Sequence, residues 1–240
     1  MMRMKSADKT TPVKTSKEVD ERVIVDRIFK AVMAQRLAPK TKLSEAELCD
    51  TFGVGRMKVR RALLLLSNQG IVDLQSNRGA YIACPDAKEA NDVFEARLHI
   101  EPSIVKDLVD YDDDRNLAAL RDHVLSEKRA KEEGTRPEAI RLSGEFHVKM
   151  VAATGNDLLT KIIRELVTRT SLIVGLFGSG RGTSCREDEH EEIIRAIENK
   201  NKEKAVRLVT EHLVHIKDGL ELKKPTAIES NLSNILRLAD

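Results

Sequence analysis

Aromatic residues are scarce in this sequence, which has no tryptophan and only 3% Phe, Trp and Tyr among its 240 residues. Any core must therefore be built mainly from Leu, Ile, Val and Ala. Cysteine is also rare, and Cys49, Cys84 and Cys185 are odd in number and far apart. This pattern fits reduced thiols that serve as packing residues, and it excludes a cysteine-based zinc motif.

Long apolar runs are missing as well. No segment approaches the roughly 18–20 apolar residues that cross a bilayer. Residues 1–20 are polar and lack the apolar core of a secretory signal. We therefore expect a cytoplasmic protein with no membrane partner.

The chain has little overall charge, since its net charge is only +2 at pH 7. This small sum hides an uneven distribution. Residues 1–84 hold 16 Lys and Arg against 9 Asp and Glu, whereas residues 85–240 hold 25 against 30. A basic first third followed by an acidic remainder predicts a polyanionic partner for the first part alone.

The length and the 41% hydrophobic content are enough for two modest cores. We divide the chain into a flexible arm, a basic domain called the head, a larger domain called the body, and a C-terminal tail. In this order they cover residues 1–18, 19–85, 86–222 and 223–240.

Two short helices joined by a tight turn are predicted within the head. Ser44 and Glu47 have the spacing of a capping box, which predicts that a helix begins at about residue 45. In this motif the Ser44 side chain accepts from a backbone N–H of the first turn, and the Glu47 side chain accepts from the backbone N–H of Ser44. Gly53 and Gly55 supply the flexible backbone of the turn. The second helix then begins near residue 56 and carries four cations on its polar side, as a DNA-reading helix does. These cations are Arg56, Lys58, Arg60 and Arg61.

A β-hairpin is predicted directly after these helices. Apolar runs over residues 71–74 and 80–83 flank a turn over residues 76–79. The hairpin would make the helix pair a winged helix-turn-helix. Gly79 suits a positive φ or a close approach to a DNA backbone, and Arg78 beside it supplies positive charge.

Residues 21–84 resemble the DNA-binding domain of GntR-family transcription regulators. In that family the turn and the recognition helix run G-V-[ST]-R-[TS]-P-V-R-E-A-L. The segment GVGRMKVRRAL agrees with this pattern at Val54, Arg56, Val59, Arg60, Ala62 and Leu63. It departs from the pattern at Gly55, Met57, Lys58 and Arg61. The resemblance implies that the cations of the second helix, with Arg78 and Gly79, contact double-stranded DNA, but not which bases they read. The alternative is a basic helix that is only a solvated face.

From residue 87 onward the sequence shows only helical periodicity, interrupted by turn residues. Six helices are expected, over about 87–110, 113–133, 137–154, 158–178, 186–199 and 201–222. The predicted fold class is therefore mainly α: a winged helix-turn-helix followed by an all-α six-helix bundle. The tail is only weakly amphipathic.

Three histidines lie on three different predicted helices of the body: His147, His190 and His212. Facing helices of a bundle can bring such side chains together on a divalent cation, because imidazole binds zinc, nickel, copper and iron. The sequence does not show that the three converge. The alternative is three unrelated surface or core histidines.

Residues 87–222 resemble the FCD effector domain of the FadR-type branch of the GntR family, and the six helices suggest its VanR-like subset. The matching phrases are FEARLHIEP, EFHVKMVAATGN, the EH of EDEHEEIIRAI and the HL of TEHLVHI. In many such domains three histidines at these positions hold a metal, together with an aspartate four residues before the first. Ser143 occupies that position here. The site is then either a three-histidine centre, with zinc as the expected ion, or an empty one.

The body should also bind a small effector. A cation held only by neutral histidines keeps its positive charge, so an organic acid or another anionic metabolite is expected where Ser143 leaves a position open. The resemblance places Arg97 in the effector cavity, where its guanidinium would clamp a carboxylate. The alternative for Arg97 is a surface ion pair. Asn156, Arg169 and Thr170 are further candidates, although Asn156 also suits a helix cap.

These features predict a one-component transcription regulator that is not an enzyme. A homodimer would bind a pseudo-palindromic operator through its heads, and the body would sense the effector. Repression relieved by the ligand is the commoner arrangement. One alternative is a metal-dependent hydrolytic enzyme that uses the three histidines, although no nucleophile elbow, phosphate loop or acid-base pair accompanies them. Another is a metal-free architectural DNA binder, for which the large body has no role.

Overall fold

The fold is given by a computed structural model that describes residues 19–110, 114–133, 136–178, 188–222 and 232–237. Within these residues the chain forms ten helices and three short strands. The predicted arm, Cys185 and most of the tail lie outside them.

The head contains three helices, α1 (Glu21–Met33), α2 (Glu45–Phe52) and α3 (Arg56–Asn68). Their apolar faces meet in one core because buried residues recur at helical spacing along α1 and α3. Ile24, Ile28 and Val32 of α1 and Leu66 of α3 are completely buried there. The two helices and the turn predicted from the basic segment are thus present.

A three-stranded antiparallel sheet completes the head. Its strands are β1 (Lys42–Leu43), β2 (Val72–Gln75) and β3 (Gly79–Ile82), in the order β1-β3-β2. The predicted hairpin is formed by β2 and β3, and the winged helix-turn-helix is confirmed. Strand β1 was not predicted, since two residues are too few to show a period-two pattern.

Two turns of the head, the one between α2 and α3 and the one in the wing, contain a glycine with left-handed backbone. Gly53 ends α2 with φ +64°, and Gly79 lies in the wing with φ +100°. Both values are costly for residues with a Cβ. Gly55, by contrast, has φ −74° and extended backbone, which any residue can adopt. Only Gly53 is therefore required by the turn between the helices.

The capping box of α2 forms only in part. The backbone N–H of Glu47 donates to Ser44 Oγ at 3.4 Å, as predicted. The Glu47 carboxylate does not return to the cap among the described residues. Its Oε1 accepts a hydrogen bond from the backbone N–H of Ser233 at 3.2 Å. A residue 186 positions away in sequence thus replaces the local partner.

The body consists of six helices, as expected from its periodicity. They are α4 (Ala87–Asp110), α5 (Asp114–Glu132), α6 (Arg136–Ala152), α7 (Asp157–Phe177), α8 (Glu189–Glu198) and α9 (Lys202–Asp218). A last short helix, α10 (Leu232–Arg237), lies in the segment predicted to be a tail. No helix in the described part of the chain combines the length and the apolar character needed to span a membrane.

Helices α6 and α7 pack closely at Gly144. An ideal Cβ placed on this glycine would lie 2.8 Å from Val167 Cγ1 and 3.0 Å from Ser171 Oγ. A methyl group does not fit at such distances without a shift of the helices. Gly144 therefore sets the spacing between α7 and the helix that carries His147.

Helix α7 also joins the body to the head. Leu172 of α7 belongs to the buried core of the head. A Cβ on Gly175 would lie 2.9 Å from Met33 Sδ of α1. Just beyond the helix, Gln35 of the head donates to the carbonyl oxygen of Gly178 at 3.3 Å. The two domains thus share packed side chains through α7.

Candidate functional site

Three buried histidines from three helices meet in the body. His147 lies on α6, His190 on α8 and His212 on α9, with exposed fractions of 1%, 3% and 1%. Their Nε2 atoms face one another: His212 Nε2 is 3.0 Å from His147 Nε2 and 3.1 Å from His190 Nε2. One nitrogen from each ring lies within 4.8 Å of the others. We call these residues the three-histidine cluster.

A carboxylate contacts the opposite side of each ring. His147 Nδ1 lies 2.6 Å from Glu101 Oε2 on α4, and His190 Nδ1 lies 2.7 Å from Glu127 Oε2 on α5. His212 Nδ1 lies 2.9 Å from Glu189 Oε2 at the start of α8. An ionised carboxylate only accepts hydrogen bonds, so each Nδ1 carries a proton, and the Nε2 of a neutral ring then keeps its lone pair.

This arrangement is unfavourable without a cation. Neutral imidazoles with protonated Nδ1 atoms would have no hydrogen to share between their Nε2 atoms, and the three lone pairs would repel one another at these distances. Burial lowers the pKa of His147 to about 3, against the opposing attraction of Glu101. The ring is therefore neutral near pH 7, which is the form that binds metals. The donor set fits a divalent ion that prefers imidazole, and carboxylate partners behind metal-binding histidines are a common feature of such sites.

The carboxylates themselves are ionised. Burial alone would raise the pKa of Glu101, but Arg97 and His147 hold it well below its usual range. Burial likewise opposes the ionisation of Glu127, whose pKa His190 and Lys131 nevertheless lower to about 2. The histidines are thus oriented by charged acceptors, which make stronger hydrogen bonds than neutral ones.

The three carboxylates change the charge expected at the cluster. Arg97 Nε lies 2.6 Å from Glu101 Oε1, and Lys131 Nζ lies 3.3 Å from Glu127 Oε1. Two cations therefore face three carboxylates, so a divalent ion would raise the formal charge from −1 only to +1. The expectation that a bound ion keeps its full charge uncompensated is therefore wrong, because a carboxylate lies behind each histidine.

The missed carboxylates had only weak signals in the sequence. Glu101 follows Arg97 by one helical turn, and Glu127 precedes Lys131 by one turn. This spacing is ordinary for exposed ion pairs. Glu189 precedes His190 directly in the chain, but its carboxylate contacts His212. Adjacency in sequence would therefore have paired it with the wrong histidine.

Arg97 is fully inside the body, with an exposed fraction of 1%. The alternative of a surface ion pair is therefore wrong, since its pair with Glu101 is buried. Its Nη2 atom is also buried and has no hydrogen-bond partner among the described residues. An unpaired guanidinium nitrogen in such a place is costly unless an acceptor reaches it.

The remaining effector candidates have structural partners. Asn156 caps α7, since its Oδ1 accepts from the backbone N–H of Leu159 at 3.0 Å. Thr170 donates to the carbonyl oxygen of Leu166 in its own helix at 2.9 Å. Ser143 is half-buried on α6, one turn before His147.

Arg169 lies at the boundary between the domains. Its Nη1 is 3.2 Å from Glu89 Oε1, and its guanidinium lies beside Gly70 of the head. Glu89 and Glu101 are twelve residues apart on α4, which corresponds to about 18 Å along a helix. The structure thus brings together Arg97 and the three-histidine cluster, and it places Arg169 in a separate region.

The cations predicted to contact DNA lie on the outer surface of the head. Arg56 and Arg78 are exposed and Lys58 is half-buried. The side chain of Arg60 is 59% exposed and pairs with Glu45, and that of Arg61 is 69% exposed with Nη1 3.4 Å from Glu21 Oε1. The recognition helix and the wing therefore present positive charge to solvent, as an interface with phosphates requires.

Comparisons with known proteins identify the class. The sequence matches the model of bacterial regulatory proteins of the gntR family over residues 21–82, and that of the FCD domain over residues 92–215. The chain therefore belongs to the GntR family of transcription regulators and carries an FCD domain. It is a DNA-binding regulator with a ligand-sensing domain, and the enzyme alternative is not favoured.

Several curated relatives are regulators too. The chain is 26% identical over 193 residues to the HTH-type transcriptional regulator YdhC of Bacillus subtilis (strain 168), covering 79% of this chain and 86% of YdhC. It is 25% identical over 192 residues to the Nta operon transcriptional regulator of Aminobacter aminovorans, covering 80% of this chain and 90% of that regulator. The HTH-type transcriptional repressor RspR of Escherichia coli (strain K12) is 21% identical over 185 residues, covering 77% and 81%.

Solved structures share the fold. A GntR transcriptional regulator from Rhodococcus sp. RHA1 superposes with a TM-score of 0.68 at 20% identity, covering 82% of this chain and 95% of that one. McbR/YncC of E. coli gives a TM-score of 0.66 at 17% identity, covering 82% and 94%. These similarities support the arrangement of a winged head on a helical body.

Proposed function

We propose that this regulator is a metal-dependent sensor of a small anionic metabolite. The body would hold one divalent ion, zinc, at His147, His190 and His212. The observation that carries the proposal is the convergence of three Nε2 atoms from rings whose Nδ1 atoms each contact a carboxylate. Bound zinc would supply a Lewis-acidic centre that accepts an oxygen ligand from the effector.

The effector is proposed to be a small organic acid. A divalent ion would leave the cluster with a small positive charge, and the unpaired Nη2 of Arg97 lies on a side chain that already contacts the same carboxylate network. A carboxylate could accept from this nitrogen and so satisfy it. Ser143 would leave more room for the ligand than an aspartate. Contact with Asn156, Arg169 or Thr170 is not part of this proposal, since each has other partners.

The head is proposed to bind a pseudo-palindromic operator in the cytoplasm as part of a homodimer. The contacts would come from Arg56, Lys58, Arg60, Arg61 and the wing residues Arg78 and Gly79. Two-fold symmetry lets two heads read two half-sites, as in other helix-turn-helix regulators. Relief of repression by the effector is the proposed direction, in line with the name of the relative RspR. Sedimentation of the full chain should give the mass of a dimer, and a monomer that still binds the operator would contradict this arrangement.

Metal content tests the central claim. Full-length protein purified without an affinity tag should contain about one zinc per chain, and His212→Ala should lose it because His212 lies between the other two rings. His99→Ala is the matched control, since His99 is exposed on α4. Metal-free native protein whose melting temperature is unchanged by added zinc would overturn the site.

Effector class can be tested on the same protein. Small mono-, di- and tricarboxylic acids should raise the melting temperature of the zinc-loaded form more than that of the chelated form. Arg97→Gln should remove most of this difference. If carboxylic acids stabilise both forms equally, direct coordination of the effector by the ion is wrong.

A further inference from the structure

The recognition helix α3 carries large apolar side chains on its outward face. The buried side of the helix is formed by Val59, Ala62, Leu63 and Leu66. Because successive residues of an α-helix are about 100° apart, Met57 lies almost opposite the middle of this buried side. Met57 is 64% exposed, and Leu64, nearly two turns further along the same line, is 53% exposed. An apolar stripe therefore faces away from the core of the head.

Cations flank Met57 on both sides of this stripe. By the same helical geometry, Arg56 and Arg60 lie on one side of it. Lys58 and Arg61 lie on the other side. The first turn of α3 contains no acidic residue. The outward face of the helix therefore has an apolar midline between two positively charged edges.

The major groove of B-DNA has the complementary pattern. It is about 12 Å wide and admits an α-helix, and the C5-methyl group of thymine is the apolar group on its floor. Phosphates border the groove on both sides and suit the two cationic edges of α3. Recognition helices place their N-terminal residues against base edges. Met57 is the second residue of α3 and Leu64 is the ninth, so Met57 is the apolar residue that reaches the bases.

The turn that precedes α3 leaves room for this approach. A Cβ added to Gly53 or to Gly55 would meet no heavy atom of the described residues within 4 Å. Gly55 is also the N-cap of α3, and it contributes no side chain beside Met57. The methionine side chain is unbranched and flexible, so it can adapt to an apolar group on the floor of the groove.

We infer that Met57 is a base-reading residue that contacts the C5-methyl group of a thymine in the operator. The inference rests on the proposed binding of the operator by α3 and adds a second reader to it. The contact removes two apolar groups from water, and therefore favours thymine over a pyrimidine without the methyl group. Arg60 and Met57 then read different bases, guanine through hydrogen bonds and thymine through its methyl group.

Replacement of thymine by deoxyuridine tests the contact, because it removes the C5-methyl group and preserves base pairing. The full-length protein first selects an operator from a random DNA pool, and each thymine is then replaced in turn at symmetry-related positions of both half-sites. At one position the replacement should weaken binding by the wild-type protein about threefold or more, as expected for one buried methyl group. In Met57→Ala the same replacement should have no effect. Met57→Leu keeps an apolar side chain and should retain the sensitivity.

Leu158→Ala is the matched control, since this leucine of α7 is 68% exposed and belongs to the body. It should show the same sensitivity to deoxyuridine as the wild-type protein. A wild-type protein that tolerates every replacement overturns the role of Met57. Equal sensitivity of wild type and Met57→Ala at every position also overturns it, and both results leave operator binding by the head standing. If the full-length protein selects no sequence from the pool, the proposed operator binding fails together with the role of Met57.

Discussion

Arg60 Nε lies 3.0 Å from each carboxylate oxygen of Glu45. The pair joins the recognition helix α3 to the first turn of α2, and both side chains are substantially exposed. In the unbound protein Glu45 therefore holds the guanidinium that we propose reads the operator. DNA must compete with this carboxylate for Arg60.

Arg60→Ala should reduce discrimination between the operator and scrambled DNA by about tenfold or more, since a bidentate arginine–guanine contact is lost. Arg78→Ala should weaken both DNAs similarly, because a phosphate contact carries no sequence information. Titrations at fixed salt, with an operator selected from a random DNA pool, measure both ratios. An unchanged ratio for Arg60→Ala would show that Arg60 does not read bases.

Glu45→Gln should tighten binding to both DNAs by up to about fivefold, the range expected for an exposed ion pair. The substitution releases Arg60 and removes a negative charge close to the phosphates. Arg60→Ala combined with Glu45→Gln separates the two effects. If Glu45→Gln raises DNA affinity equally with and without Arg60, the loss of the negative charge alone accounts for the effect.

Ser143→Asp should slow the loss of zinc to a chelator by about tenfold or more, since a carboxylate one turn before His147 adds an anionic ligand. It should also weaken a carboxylate effector that coordinates the ion, because the new side chain fills that position. Ser143→Asn is the control, with a similar shape and no charge. Zinc retention that is identical in the Asp and Asn proteins would exclude ligation at this position.

Gly144→Ala should destabilise the protein by about 1–2 kcal/mol, although the same change in an ordinary helix stabilises it. The reason is the 2.8 Å distance between the added methyl group and Val167 Cγ1. Val167→Ala removes that clash. The double variant should therefore lose less free energy of unfolding than the sum of the losses in the two single variants. Additive losses in chemical denaturation would show that the close helix contact is not the cause.

His123 should make stability depend on pH. Burial lowers the pKa of His123 from 6.5. The hydrogen bond that its Nε2 donates to the carbonyl oxygen of Leu142 raises this pKa. The charge of Lys149 lowers it further, whereas those of Glu145 and Glu127 raise it. The unfolded chain therefore takes up a proton first, and stability is lost as the pH falls below about 6.5. His123→Gln should lose less free energy of unfolding than wild type as the pH falls below about 6.5. Equal slopes of stability against pH in wild type and His123→Gln would contradict the assignment.

Much of the fold could be predicted from local sequence patterns. Helical periodicity, capping residues and breaks identified the six helices of the body, and two apolar runs on either side of a turn identified the wing. The winged helix-turn-helix and the choice of a regulator over an enzyme also followed from the sequence, since they depend on residue types at short spacing. Strand β1 escaped detection because its two residues become a strand only by pairing with β3.

The geometry of the histidine site depended on tertiary structure. The sequence pointed to His147, His190 and His212 but not to the three carboxylates behind them, which come from α4, α5 and α8. Nothing in their spacing distinguishes them from exposed ion pairs. Which carboxylate contacts which ring is decided by the packing of helices far apart in the chain.

The sequence by itself determined the winged helix-turn-helix, the helical part that follows it and the family, because each is encoded in contiguous residues or in a known family pattern. It also predicted which helix reads DNA and which histidines bind the metal. Only the tertiary structure placed α10 on the head and turned Glu47 from its own cap toward Ser233. Leu232 and Leu236 look like ordinary residues of a weakly amphipathic tail. Their burial arises because the folded head exposes an apolar groove that this segment can reach, a property of the assembled surface and not of the segment itself.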